Sequence, residues 1–204
     1  IHSWGLPKVV ERFVESQPRI GGRHYMVCTC GDDAGLAHEQ WRGLIRRYHG
    51  RPQGTFSVTM PNTYVALPGF DVDAPAVEEE KLAQAEARVR DIASRIAGGW
   101  QGDDVVKGSM PWIKTRLVYP AFMSLLTSPR RFRVDTDRCI GCGRCVAQCP
   151  LSNVMLDSGR RPVWGADCTL CLGCYHACPE HAVEYGRETQ KKGQYLCPCL
   201  LYTS

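Results

Sequence analysis

Eight cysteines near the C-terminal end are the residues best suited to chemistry, because they fall in two runs of identical spacing. Each run reads C-x2-C-x2-C-x3-C and ends in proline, and the second begins 29 residues after the first (168 minus 139). Thiolates this close together are typical ligands of zinc or of iron–sulfur clusters. The spacing therefore predicts two related metal sites.

The pattern favours iron–sulfur clusters over zinc. A zinc ribbon uses two C-x2-C pairs for one ion, whereas each run here has three close cysteines and a fourth before proline. Disulfides are disfavoured because metal ligands stay reduced and the N-terminus shows no secretion signal. Three cysteines can hold three corners of a [4Fe–4S] cubane, and the fourth begins a segment that points to the other cubane. The predicted ligands are Cys139, Cys142, Cys145 and Cys178 for the first cluster, and Cys168, Cys171, Cys174 and Cys149 for the second.

Short elements must position these thiols. Gly141, Gly143 and Gly173 allow the backbone to approach a cluster and to direct N–H groups at its sulfurs. Pro150 and Pro179 turn the chain after each fourth ligand. Alternating residues predict short strands at 131–135, 161–164 and 182–185. The sequence thus predicts a small, two-fold-symmetric α+β domain over residues 131–188.

Other cysteines and histidines carry weaker signals. Cys28 and Cys30 are expected in a strand and the loop after it, with a redox role for Cys30 as the alternative. A C-x-C metal pair at Cys197 and Cys199 is a further alternative that the sequence does not favour. His176 lies between ligand cysteines, and the sequence favours a surface position while leaving a role in tuning the second cluster open.

Before the cysteine runs, helical and strand patterns alternate. Helical periodicity covers 5–16 and 38–49, and short apolar runs at 24–29 and 55–60 suit buried strands. This alternation predicts a parallel sheet with crossover helices in residues 1–75.

The rest of the chain is divided as follows. Residues 76–130 are interpreted as a helical linker, with a long helix at 76–97 and a proline-broken bridge at 110–126. Residues 189–204 form a tail, and 199–204 resemble translated adapter DNA, so these last residues are expected to be non-native.

Composition limits the possible partners and compartments. The net charge of +4 is too small to indicate a nucleic-acid partner. No apolar run approaches the roughly 18 residues that a membrane span requires. Reduced cysteines favour a cytoplasmic location. The pairs Arg130-Arg131 and Lys191-Lys192 are expected to be solvated, with a docking patch for an acidic redox partner as the alternative.

Several segments besides the cysteine runs carry a resemblance to a known family: His2–Pro7, Val27–Gly35, Met60–Tyr64, Pro68–Asp73 and Lys192–Tyr195. Over residues 1–196 the chain resembles the flavodoxin–ferredoxin fusion proteins of anaerobic bacteria. The resemblance implies a flavodoxin-like α/β domain joined to a ferredoxin domain with two [4Fe–4S] clusters. It also implies that the first strands and the phosphate-binding loop of the flavodoxin domain precede Ile1, so that the chain is truncated.

The same resemblance implies where FMN would contact this chain. Ser3, Trp4 and Gly5 resemble the second flavin loop, and Thr29, Cys30 and Gly31 begin the third. Because the phosphate-binding loop is missing, this chain is expected to bind FMN weakly or not at all, whereas the full-length parent would bind it.

The leading functional hypothesis is electron transfer, in which the clusters relay single electrons to or from an FMN site in the parent. The alternative is a flavin-dependent oxidoreductase that acts on a small substrate, with the clusters as its electron supply. A sensing or structural role would need an attached DNA-binding or signalling domain, and the sequence shows none. The redox partner is not identified by the sequence.

Overall fold

The computed structural model describes residues 1–125 and 128–197, and it divides them between two units. The first unit comprises the described parts of Ile1–Pro61 and Ala74–Leu126. The second comprises the described parts of Asn62–Asp73 and Thr127–Ser204. The division does not follow the expected ranges, because residues 62–73 group with the cysteine runs and most of the predicted linker groups with the N-terminal sheet.

A three-stranded parallel sheet forms the centre of the first unit and confirms the predicted parallel sheet with helices. Strand β1 (Arg23–Cys30) pairs with β2 (Arg51–Thr59), and β2 pairs with β3 (Gly102–Asp104). The helices of this unit are α1 (Lys8–Glu15), α2 (Ala37–Arg47) and α3 (Pro75–Ala97). Strand β2 begins four residues earlier than the apolar run predicts (55 minus 51), and β3 has no apolar pattern that would predict it.

The two faces of this sheet bury different side chains. Met26 and Val27 are neighbours on β1 and therefore point to opposite faces. The face of Met26 packs against α1 and α2 through the core residues Leu6, Val14, Trp41, Leu44 and Ile45. The other face buries Phe56 and Val58 against Ala85 and Ile92 of α3. A layer of helix thus covers each face, as parallel sheets require.

The proline-broken segment after the sheet is helical. It consists of α4 (Pro111–Ile113), a π-helical turn (Lys114–Val118) and α5 (Tyr119–Leu125). Pro120 has no N–H to donate to the carbonyl four residues earlier, and the wider π turn precedes it. Thr115 in this turn is fully buried; its hydroxyl accepts the Leu36 N–H and donates to the Trp4 carbonyl, each at 2.8 Å.

Short elements build the second unit, in agreement with the predicted α+β domain. A 3-10 turn (Pro129–Arg131) leads into strand β4 (Phe132–Val134). The other elements are α6 (Arg144–Ala147), β5 (Val154–Leu156), β6 (Pro162–Trp164), α7 (Gly173–His176) and β7 (Val183–Tyr185). Strands β4 and β7 form one antiparallel pair, and β5 and β6 form the other. The internal duplication in the sequence therefore has a structural counterpart.

Candidate metal centre

The eight cysteines of the two runs line two cavities in the second unit. The first is bordered by Cys139, Cys142, Cys145 and Cys178, and its empty space, which includes a part open to solvent, is about 340 Å³. The second is bordered by Cys149, Cys168, Cys171 and Cys174, and its corresponding space is about 320 Å³. Each cavity takes three cysteines from one run and the fourth from the other run, which is the grouping that the crossed ligand sets expect.

These eight cysteines form no disulfide, and neither do Cys28 and Cys30. In residues 1–125 and 128–197, no three or more His, Cys, Asp or Glu side chains lie close enough together to hold a single metal ion. The thiols are instead spread around the walls of each cavity. Cys197 lines neither cavity, and Cys199 with the rest of 198–204 lies outside the described residues.

Backbone N–H groups point at the fourth sulfur of each run in the same way. The Asn153 N–H donates to Cys149 Sγ at 3.2 Å, and the Ala182 N–H donates to Cys178 Sγ at 3.2 Å. The two donors are 29 residues apart, as are the two acceptors. Such bonds stabilise a thiolate and the anionic cluster that it ligates.

Two buried donors line the second cavity, the indole Nε1 of Trp164 and the hydroxyl of Thr169. The indole lies close to the Cys174 sulfur and acts to lower the pKa of that thiol, against the larger effect of burial, whereas the Thr169 hydroxyl has no hydrogen-bond partner among the described residues. An unpaired buried polar group costs about 1–3 kcal/mol, so an acceptor within the cavity would relieve this cost. The ring of thiols, the indole directed at one of them and the unpaired Thr169 hydroxyl together fit a sulfur-rich cluster such as [4Fe–4S].

Burial changes the acidity of the candidate ligands. It raises the pKa of the Cys174 thiol to about 12, and it also raises the pKa values of Cys145 and Cys168. Ligation requires thiolates, so a cluster that binds here must displace protons. The cavities are thus expected to hold a cluster less strongly as the pH falls.

The second run departs from the first at two backbone positions. Gly141 and Gly143 have φ values of 67° and 78°, and the matching Leu170 and Leu172 have φ values of 52° and 59°. A residue with a Cβ in this left-handed region costs roughly 1–2 kcal/mol. Both leucines are nevertheless almost completely buried, and Leu172 lines the second cavity. The second run accepts backbone strain and places apolar side chains around its thiols.

Helix α7, which carries Cys174, is covered by segments from two distant parts of the sequence. His176 is buried, so its predicted surface position is wrong. Its Nδ1 accepts the Tyr195 N–H at 3.2 Å, which leaves Nε2 to donate to the Thr63 carbonyl at 2.8 Å. The Tyr175 hydroxyl lies against the chain carbonyls of 189–193.

Within the second unit, a lysine joins the segment 62–73 to the chain that follows the cysteine runs. The ammonium of Lys192 donates to the carbonyls of Val65, at 2.7 Å, and of Leu67. The Gly193 N–H donates to Asp71 Oδ1 at 3.0 Å. Sequence reasoning missed this clamp, since the contacts join residues more than 120 positions apart.

The residues proposed to contact FMN lie in two segments of the first unit, Ser3, Trp4 and Gly5 near the N-terminus and Thr29, Cys30 and Gly31 at the end of β1. The N-terminal amine of Ile1 donates to the Thr29 carbonyl at 3.2 Å, so the first residue of the chain lies at the end of β1. Two of these residues pack against side chains of the helical segment that follows the sheet. Gly5 lies against the Tyr119 ring so closely that a Cβ would come within 2.4 Å of it. The Lys114 ammonium lies 5.1 Å from the centre of the Trp4 ring.

The residues present do not fit the phosphate end of FMN. The loop after β1 carries Asp32 and Asp33, and the latter pairs with Lys114 at 2.6 Å. The Leu36 N–H at the start of α2 already donates to Thr115. In the described residues the strands follow in the order β1-β2-β3, without the reversal of order that marks a nucleotide-binding switch point. Burial also raises the pKa of Cys30 to about 12, which disfavours a reactive thiolate.

Comparison with known proteins places the cysteine runs in a recognised domain. The model of the 4Fe-4S dicluster domain matches residues 138–183. Ferredoxin from Pyrobaculum islandicum is 35% identical over 80 residues, which are 36% of this chain and 74% of that protein. A putative electron transport protein, YccM, of Escherichia coli is 34% identical over 70 residues. The iron–sulfur subunit of formate dehydrogenase from Haemophilus influenzae is 32% identical over 67 residues.

The extent of these matches differs. The match to the Escherichia coli protein covers 33% of this chain and 19% of that protein. The match to the Haemophilus influenzae protein covers 28% of this chain and 21% of that protein. No solved structure is significantly similar to the chain. Among the described residues, no helix has both the length and the apolar character needed to cross a membrane.

Proposed function

The chain belongs to the ferredoxins that carry a 4Fe-4S dicluster domain, and from this premise we propose that it transfers single electrons through two [4Fe–4S] clusters. When bound, such a cluster accepts and returns one electron without a change of ligands. The observation that carries the proposal is the grouping of the thiols, four around each of two cavities. The proposed ligands are the two crossed sets predicted from the cysteine spacing.

The residues around the thiols have defined parts in this proposal. Val183 borders the first cavity and Val154 the second, and both are buried, so they exclude water from the clusters. Backbone N–H groups and the donors of Trp164 and Thr169 stabilise negative charge on sulfur. Because each run supplies a ligand to both cavities, the clusters would be held at a fixed separation.

The proposed setting is a reducing compartment such as the cytoplasm, with another redox protein as partner. Thiolate ligands and free cysteines support the reducing setting. Exchange with FMN in a longer parent protein, which the family resemblance implies, is a separate hypothesis. A fluorescence titration of this chain with FMN tests whether the chain itself binds FMN, and we expect no saturable quenching of the flavin fluorescence at micromolar FMN.

A reductive titration tests the function. The chain is loaded anaerobically with iron and sulfide and titrated with dithionite. We expect an uptake of about two electrons per chain, one for each cluster. Cys171→Ser should reduce the uptake to about one electron, whereas Cys28→Ser, outside both cavities, should leave it unchanged. A loaded protein that takes up no electrons would refute the proposal.

A further inference from the structure

The two cysteine runs expose their thiols to a similar degree. Cys142 in the first run and the matching Cys171 in the second are both exposed. Each proposed cluster therefore has one ligand at the surface, where a partner could approach. Exposure alone does not show which cluster exchanges electrons with that partner.

Arginine side chains distinguish the two surfaces. Arg160 Nη2 donates to the Gly141 carbonyl at 2.8 Å, and Arg161 Nη1 donates to the Cys139 carbonyl. Arg144 is exposed and lines the first cavity. No ion pair joins any of these three guanidinium groups to a carboxylate in the described part of the chain.

Acidic groups near the first cavity do not cancel this charge. Glu180 lines the cavity, and Asp157 Oδ1 accepts the backbone N–H of Arg161 at 2.8 Å. The neighbouring Arg138 is already paired, with Asp135 at 2.8 Å and Glu184 at 3.1 Å. Three guanidinium groups thus face two carboxylates around the exposed Cys142.

The second cavity lacks basic side chains. Its described lining contains the exposed Asp167 and no lysine or arginine. Its walls are otherwise mostly apolar, with Phe132, Val154 and Leu172 among them. A negatively charged partner would therefore be attracted to the first cysteine loop and not to the second.

We propose that Arg144, Arg160 and Arg161, together with the loop 139–143, form a docking surface for a small acidic electron-transfer protein. This surface, named here the arginine surface, would make the first cluster the point of exchange. The inference rests on the proposed electron-transfer function. Complementary charge at such a surface mainly accelerates association, by a factor of about 10 to 10³ at low salt, and its effect decreases as ionic strength rises.

Electron-transfer rates with two protein probes of opposite charge test the arginine surface. The loaded, reduced protein is mixed with an acidic flavodoxin or with the basic cytochrome c. Arg160→Gln/Arg161→Gln should slow transfer to flavodoxin by about tenfold at low salt and should not slow transfer to cytochrome c. The matched control is Arg133→Gln, an exposed arginine that lines neither cavity, and it should leave both rates unchanged.

A single variant and a binding measurement show whether a slower rate reflects lost charge or a misfolded variant. Arg160 and Arg161 also donate hydrogen bonds to the cysteine loop, so their replacement could alter its structure. Arg144→Gln is therefore included, because the side chain of Arg144 makes no hydrogen bond within the described part of the fold. This variant should slow transfer to flavodoxin several-fold. The redox-inert anion hexacyanochromate(III) should broaden the shifted NMR signals of Cys139 and Cys142 more than those of Cys168 and Cys171. Equal broadening at both sites, or a wild-type transfer rate in Arg144→Gln, would overturn the proposal.

Two further outcomes distinguish the arginine surface from a nucleic-acid surface and from a failure of the proposed function. Retention of a DNA fragment at about 150 mM salt that the double variant abolishes would show a nucleic-acid surface instead. A protein that contains no sulfide would refute the proposed function itself, and metal analysis reveals that before any rate is measured. Clusters present with no charge preference between the probes would refute the arginine surface alone.

Discussion

Replacement of Leu172 by alanine and by glycine should give an order of stability opposite to the usual one. Leu172 is 2% exposed and has a φ of 59°. At an ordinary helix or strand position, glycine is less stable than alanine by about 0.5–1 kcal/mol because its unfolded chain is more flexible. At a positive φ, alanine keeps a left-handed penalty of about 1–2 kcal/mol that glycine does not have.

The magnitudes follow from these terms. Both variants lose a buried leucine side chain, which costs about 2–5 kcal/mol of unfolding free energy. Compared with alanine, glycine avoids the left-handed penalty, but its more flexible unfolded chain offsets part of this gain in unfolding free energy. The glycine variant should therefore be more stable than the alanine variant by about 1 kcal/mol, while both are less stable than the wild type.

Anaerobic urea unfolding of the loaded protein measures this order. The free energy of unfolding is compared for Leu172→Ala, Leu172→Gly and a control, Ala147→Gly. Ala147 is exposed and lies in α6, so its replacement by glycine should be destabilising by about 1 kcal/mol in the usual direction. An alanine variant at 172 that is as stable as the glycine variant, or more so, would refute the strain argument.

Three other substitutions give separable outcomes. Cys149→Ala should remove the cluster of the second cavity and retain that of the first, seen as a loss of about half the iron; loss of the first cluster instead would refute the crossed ligand sets. Lys192→Met should destabilise the second unit by about 2 kcal/mol and increase proteolysis within 62–73, whereas an unchanged cleavage rate would argue against the clamp. The Arg88 guanidinium, which bonds to Asp104, holds the pKa of that carboxyl below its usual range. Asp104 thus stabilises the fold above about pH 4 and loses this effect as the pH falls. Asp104→Asn should cost at most about 1 kcal/mol at pH 7 and should flatten the acid side of the stability profile, and a profile as steep as the wild type's would show that Asp104 does not contribute.

The cysteine sets and the long elements could be predicted from the sequence because their signals are local. The repeat of spacing in the two runs groups the thiols before any fold is known, and the periodicity of 76–97 predicts nearly the whole of helix α3. By contrast, β3 is only three residues long and contains a glycine and two aspartates. It is held by pairing with β2 and by Arg42, whose guanidinium bonds to Asp103 and to the Gly102 carbonyl.

Long-range contacts account for what the sequence did not predict around the candidate site. His176 is buried because residues 62–73 and the chain near Tyr195 cover it, and no local pattern reports a contact 113 positions away. The donors Trp164 and Thr169 show their role only where the structure brings them to one cavity. The presence of Leu172 at the position that matches Gly143 is visible in the sequence itself, because it follows from aligning the two runs.

Iron and sulfide analysis tests the two-cluster proposal most directly. Protein loaded and purified without oxygen should contain about eight iron and eight sulfide per chain, as two [4Fe–4S] clusters require. Zinc without sulfide would contradict the assignment of both cavities. About four iron and four sulfide in a fully loaded protein would contradict the second cluster.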